Sequence, residues 1–195
     1  MDTCLIEDFK KVARENLEQC VAIKSDFCAL AFVHSENGSG IIPMTFQGKE
    51  EKAIAYQALG SVMAVKNISE VLLIADSFVR EAADQAEVDL ITEHYDTESP
   101  SVVSEDKRGE AIVITLVDFK NGDKIWTIPY ERILGQAIFK PEEEMSGPIS
   151  DGLIRDSIVS GFIVGKFKDT KKDAFDVVKN LAAEYKFLIP FNKES

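Results

Sequence analysis

A histidine and a glutamate two positions apart, His34-Ser35-Glu36, bring together an imidazole that can hold a metal ion and a carboxylate that can move protons. A second histidine, His94, stands among acids, with Glu93, Asp96 and Glu98 around it, which is the composition of a weak divalent-cation site. Two more carboxylates close apolar runs: Asp76 in VLLIADS and Asp118 in AIVITLVD. Acids at strand ends hold metals or take protons in many sheet-based enzymes. If the two strands were neighbours with these ends together, Asp76 and Asp118 would share a cation.

Each of these has a plainer reading beside it. Zinc-dependent nucleobase deaminases use H-x-E with a later P-C-x-x-C, and a helix-hairpin-helix order resembles the opening of that fold. Here no P-C-x-x-C exists, and Cys4, Cys20 and Cys28 all precede His34. A turn and a strand follow Glu36, where that chemistry needs a helix. His34 and Glu36 therefore read as hairpin-mouth residues. Around His94 no D-x-D-x-D-G loop is present, so solvated acids are the simpler account. Asp76 and Asp118 have short side chains suited to bonding local backbone at a strand end or turn. Phosphate-binding glycine loops and the G-x-S-x-G elbow are missing as well. Asp76, Asp118, His34 and Glu36 remain as candidate catalytic residues and His94 as a candidate ligand; no cofactor is implied.

Charge narrows the partners. Asp and Glu number 34 against 22 Lys and Arg, a formal charge of -12. A surface of that sign repels nucleic acid and anionic bilayers unless a basic patch is set apart, and the lysines at 166, 168, 171 and 172 are interrupted by acids. No apolar run approaches the ~20 residues of a membrane span, and the N-terminal stretch lacks a signal core. With an odd cysteine count and no C-x-x-C, the expectation is buried free thiols in a cytoplasmic protein.

The elements that would position these residues follow from periodicity. Ile6, Phe9, Val12, Ala13, Leu17 and Cys20 mark one face of a first helix, with Lys10 among the charged residues opposite. DFCALAFVH and GIIPMTF flank Asn37-Gly38 as a hairpin, and Pro43 belongs at an edge or bulge. A second helix over 48–67 has Ile54, Ala58, Val62 and Val65 inward, and SEVLLIADSFV is a buried strand. Residues 81–108 form an acidic excursion with one short helix near 82–86. EAIVITLVDF and KIWTIPY flank Asn121-Gly122 as a second hairpin, and RILGQAIF extends the sheet.

This order predicts an α+β fold: a largely antiparallel sheet of about five strands, built from two Asn-Gly hairpins and one buried strand and packed with helices. Residues 1–140 form that core domain. Residues 141–195 hold a linker, KPEEEMSGPIS, and a two-helix extension over about 151–167 and 171–188, docked on the core or on a second subunit. In the first of these helices Ser157, Gly161 and Gly165 recur every four residues beside Phe162. That spacing admits a close helix neighbour, in the chain or across a subunit interface.

The reading is a binding or self-associating protein, as a homodimer or with another protein, without a catalytic centre of its own. A metal-dependent hydrolase or transferase using strand-end carboxylates is the competing class. A small-molecule sensor with a pocket between sheet and helices is the third.

Overall fold

Residues 71–74 and 111–117 are apolar at nearly every position, so each run must be covered on both faces. The computed structural model of the chain describes residues 1–35, 38–44, 48–80, 85–94, 103–104, 108–146 and 152–166, and it sets both runs at the centre of one sheet. In chain order the elements are α1 (Thr3–Ile23), β1 (Ala29–Ser35), β2 (Gly38–Met44), α2 (Gly48–Val65), β3 (Glu70–Val79) and α3 (Gln85–Glu93). Then come β4 (Gly109–Asp118), β5 (Lys124–Ile133), β6 (Gln136–Phe139), β7 (Glu143–Ser146) and α4 (Gly152–Lys166). The strand order is β2-β1-β3-β4-β5-β6, with β7 also on β5. All six pairings are antiparallel. The α+β class with an antiparallel sheet stands, and among the described residues the sheet has seven strands where about five were expected.

Part of the difference lies in the expected linker. Glu143–Thr127 and Ser146–Lys124 are strand partners, so β7 continues the edge that β6 begins. The Lys140 N–H donates to the Pro129 carbonyl at 2.8 Å, carrying the ladder past the break. Pro141 falls at that break, where a missing donor costs least. Local composition yields here to pairing with an available edge.

Alternation along the strands divides the core in two. Leu72, Ile74, Ile112, Ile114 and Ile128 turn to α1, against its Ile6, Ala13 and Leu17. Ala31, Val33, Val71, Leu73 and Val117 turn the other way, against Tyr56, Leu59 and Met63 of α2 and Ile158 of α4. The result is three layers, with α1 on one face and α2 beside α4 on the other.

Both long helices depart from their simple stripes. In α2 the expected inward Ile54 is 50% exposed, while Tyr56, Leu59, Gly60, Ser61 and Met63 are buried. Sheet on one side and α4 on the other leave this helix little face for water. In α1, Val12 is exposed and Lys10, expected outside, is buried. Its ammonium pairs with Glu142 and with Glu7 at 2.7 Å, and lies 4.8 Å from the Trp126 ring centroid. Burial lowers the Lys10 pKa, but the two carboxylates outweigh it and hold the value above that of a free lysine.

The cysteines are free, as expected, but Cys4 and Cys28 are exposed rather than buried. Cys4 sits in the first turn of α1, and Cys28 precedes β1 instead of lying within it. The excursion contains α3 at 85–93, further along than the expected turn near 82–86. Asn37 and the expected helix over 171–188 lie outside the described residues. Among the described helices none is long and apolar enough to cross a membrane.

Candidate functional site

The register of β3 and β4 decides the fate of the paired acids. Asp118 stands opposite Glu70, and Asp76 opposite Ile112. Six residues of strand separate the two levels, about 20 Å at the usual rise. Neighbouring strands do carry Asp76 and Asp118, but antiparallel pairing sends their ends apart, so the shared cation site does not form. Nor does Asp76 end its strand, since β3 continues to Val79.

Asp118 is a turn-former. Its Oδ1 accepts from the backbone N–H of Lys120 at 2.8 Å and of Asn121 at 3.1 Å, and its Oδ2 accepts from Asn121 Nδ2 at 2.9 Å. Burial pushes the carboxyl up, yet these three bonds outweigh it and hold it below the usual range. Gly122, with φ of 93°, supplies the left-handed step that closes the turn. Asp123 completes the unit by accepting from the Asp118 N–H at 3.0 Å and pairing with Arg155 of α4. Asp123 thereby ties the β4–β5 connection to the helical layer.

Asp76 belongs to a different cluster. Positions 76, 110, 130 and 132 alternate onto the α1 face, so Asp76, Glu110, Tyr130 and Arg132 share one end of it. The buried Tyr130 ring reaches across β4, and its hydroxyl donates to Asp76 Oδ1 at 2.7 Å. Arg132 donates to Asp76 Oδ2 at 3.2 Å, to Glu110 Oε2 at 3.1 Å and to the Tyr130 hydroxyl at 3.1 Å. Burial pushes the Asp76 carboxyl above its ordinary value, and Tyr130 and Arg132 only partly offset it. Burial and the Asp76 charge together raise the Tyr130 phenol well above the usual tyrosine value. A phenol so raised donates a hydrogen bond and does not act as a base. Each polar group here already has a partner, and the cluster binds three strands together.

Of the remaining candidates, His34 and His94 lie at separate elements. His34 is exposed on β1, with Nδ1 2.6 Å from Ser39 Oγ across the β1–β2 ladder, and Glu36 lies outside the described residues. His94 follows α3, its N–H bonded to the Leu90 carbonyl at 3.0 Å. Asp96 and Glu98 lie outside the described residues. Among the described residues no group of three or more His, Cys, Asp and Glu is placed to hold a metal.

The small-residue stripe of α4 faces inward. A Cβ on Gly161 would fall 1.9 Å from the Gln57 carbonyl oxygen, and Ser157 is buried. Phe162 stacks near Phe119, with ring centroids 4.4 Å apart. The expected interface residues Ser157, Gly161 and Phe162 are therefore occupied within the chain by α2 and the β4–β5 connection. Gly165 lies one turn further along the same helix.

What the sequence reading passed over is the β5–β6 turn. Ile133-Leu134-Gly135-Gln136 closes this hairpin with Leu134 at φ of 50° and Gly135 at 79°. Two successive left-handed residues are the geometry that Asn-Gly serves best. Leucine in that conformation costs roughly 1–2 kcal/mol, and Leu134 is 100% exposed, with Ile133 and Ile138 beside it at 46% each. The signal is a bare Leu-Gly between two strand-like runs, where Asn121-Gly122 stands between the two runs before it. No family model matches the chain, and no curated protein or solved structure matches it either.

Proposed function

We propose that this protein works by association, with another protein or with a second copy of itself, and that its candidate acids serve the fold. The observation that carries this reading is Leu134. An apolar side chain, wholly in water and in a backbone conformation that favours asparagine or glycine, costs the free protein twice, once in hydration and once in strain. A contact that covers Leu134 recovers the first cost. The polar candidates support the same reading, because Asp118 is spent on its turn and Asp76 on Tyr130 and Arg132.

A photo-activatable leucine analogue at position 134 tests this in cells that express the full chain. Discrete adducts, reproduced with purified components and lost when the analogue is placed at Val12, are the expected result. Absence of any adduct would remove the reading. The competing metal-dependent chemistry has its own check: Mg2+, Mn2+ and Zn2+ should leave the melting temperature unchanged, since a bound ion stabilises the native state. A saturable rise that Asp76→Asn abolishes would favour catalysis instead.

A further inference from the structure

Two of the three free cysteines come to facing parts of α1 and the start of β1. The helix runs against the strand, since the Met1 amine pairs with Glu70, and the next residue of β3, Val71, is the partner of Val33 near the end of β1. Phe9 and Phe32 mark the contact between the two elements, with ring centroids 4.5 Å apart. Cys20 follows Phe9 by eleven residues, about 20° past three full turns, so it lies on the same flank of α1. In the strand, Ala29, Ala31 and Val33 turn to α2 and Phe32 to α1, and the alternation carried back puts Cys28 on the α1 face.

Levels agree as well as faces. From the aromatic contact, eleven helical residues advance about 16 Å and four extended residues about 13 Å in the same direction. The turn keeps the two close: the Ser25 N–H donates to the Cys20 carbonyl at 2.9 Å, with Lys24 left-handed at φ of 56°, and Cys28 is three residues further on.

We propose that Cys20 and Cys28 form a reversible disulfide by exchange with a small disulfide of the glutathione type. The exposed Cys28 reacts first: its thiolate attacks one sulfur of the oxidant, makes a mixed disulfide and releases one thiolate. The Cys20 thiolate then attacks the Cys28 sulfur, closing the protein bond and releasing the second thiolate. The two protons lost by the cysteines end on the two released thiols, so the protein gives up two electrons and the oxidant gains them.

The surroundings permit closure. A disulfide needs Cα atoms within about 7 Å. Residues 24–28 lie outside helix and strand and 22–26 are exposed, so the connection can draw in without breaking either element. Each thiol has only a weak bond to give up, Cys28 to the Ala29 carbonyl at 3.5 Å and Cys20 to Asn16 Oδ1 at 3.9 Å. Desolvation raises the Cys28 thiol above its ordinary value, and the charge of Cys20 raises it further. Through water a neighbouring charge is felt in this way only over about 8 Å. Cys4 starts α1 about 24 Å back along its axis and takes no part.

Equilibration of the full chain at about 5 µM in glutathione buffers near pH 8, followed by acid quench and tryptic mapping without reduction, tests the pair. Trypsin cuts at Lys24, between the cysteines, so the bond appears as peptide 15–24 joined to 25–49. That linked pair, in a monomer and reversed by dithiothreitol, is the expected result. Cys20→Ser should stop at a glutathione adduct on Cys28. The equilibrium constant against glutathione should be at least about tenfold larger for the folded protein than for the chain in guanidinium, because a bond that fits the fold stabilises it. A wild type that keeps glutathione on Cys28 with Cys20 free, or links two chains through Cys28, would overturn the pairing. So would a folded-state constant no larger than the unfolded one.

Discussion

Gly161 of α4 and Gln57 of α2 meet backbone to backbone, and Gly60 meets Ile158 in the same way, with 2.0 Å from its would-be Cβ to the Ile158 carbonyl oxygen. Ser61 sits between them, its hydroxyl 3.0 Å from the Gly161 carbonyl and 3.1 Å from that of Gln57. In a free helix Gly161→Ala would add about 1 kcal/mol of stability. Here a methyl must force two helix backbones apart, and a loss of ~1–3 kcal/mol or more is expected. Chemical denaturation of Gly161→Ala beside the exposed Ser160→Ala checks the sign. A gain in Gly161→Ala would show that α4 does not dock as described.

Asp118→Ala should cost ~1–3 kcal/mol, because it strips acceptors from two backbone donors and the Asn121 amide around a buried carboxylate at a part-exposed turn. The pH dependence follows from the lowered pKa. A carboxyl held below its unfolded value stabilises the fold above that value, about 3.9, and loses the contribution as pH falls toward the folded value. Wild type should therefore lose more stability than Asp118→Ala between pH 5 and acid. Parallel curves would remove Asp118 from the account.

Asp76 has the opposite sign. Its folded-state pKa is raised, so the native protein holds that proton more tightly than the unfolded chain does. Ionisation of Asp76 then costs stability as pH climbs from the ordinary carboxylate value through the raised one. Asp76→Asn should flatten the fall in stability that the wild type shows over that interval, read by denaturant titration at each pH. An unchanged slope would place the pH dependence elsewhere.

Leu134→Asn should stabilise the monomer by about 1 kcal/mol, since asparagine tolerates φ of 50° better than leucine and no described contact is lost. Melting at low protein concentration separates this from association. A destabilised monomer would mean that Leu134 packs against its own chain.

Lys10→Ala should be among the costlier single changes in α1. It leaves Glu142 with Arg14, at 2.9 Å, as its remaining partner and opens space beside Trp126. Loss of a buried charge from a pair costs up to 3–5 kcal/mol, and the partial exposure of Glu142 reduces this to ~1–3 kcal/mol. Lys10→Met, which keeps the stem against Trp126, should recover part of it. Equal losses in the two variants would show that packing of the stem contributes nothing.

Local pattern determined a good deal on its own. Period-two alternation and full apolar runs assigned the inner strands of an antiparallel α+β sheet, because a strand's faces are set by the pleat whatever its neighbours are. The 3.6-residue period placed α1 and most of its inward residues for the same reason. What only the tertiary structure decided is which strands lie together and in which sense. That choice separated Asp76 from Asp118 and joined Asp76 to Tyr130 and Arg132, 54 and 56 residues away. It buried Lys10 because Glu142, from a stretch that reads as linker, came to lie beside it. It also left Leu134 in water at a turn whose length, fixed by the β5–β6 register, demands two left-handed residues. Such pairings depend on contacts between residues distant in the chain, and no window of local periodicity contains them.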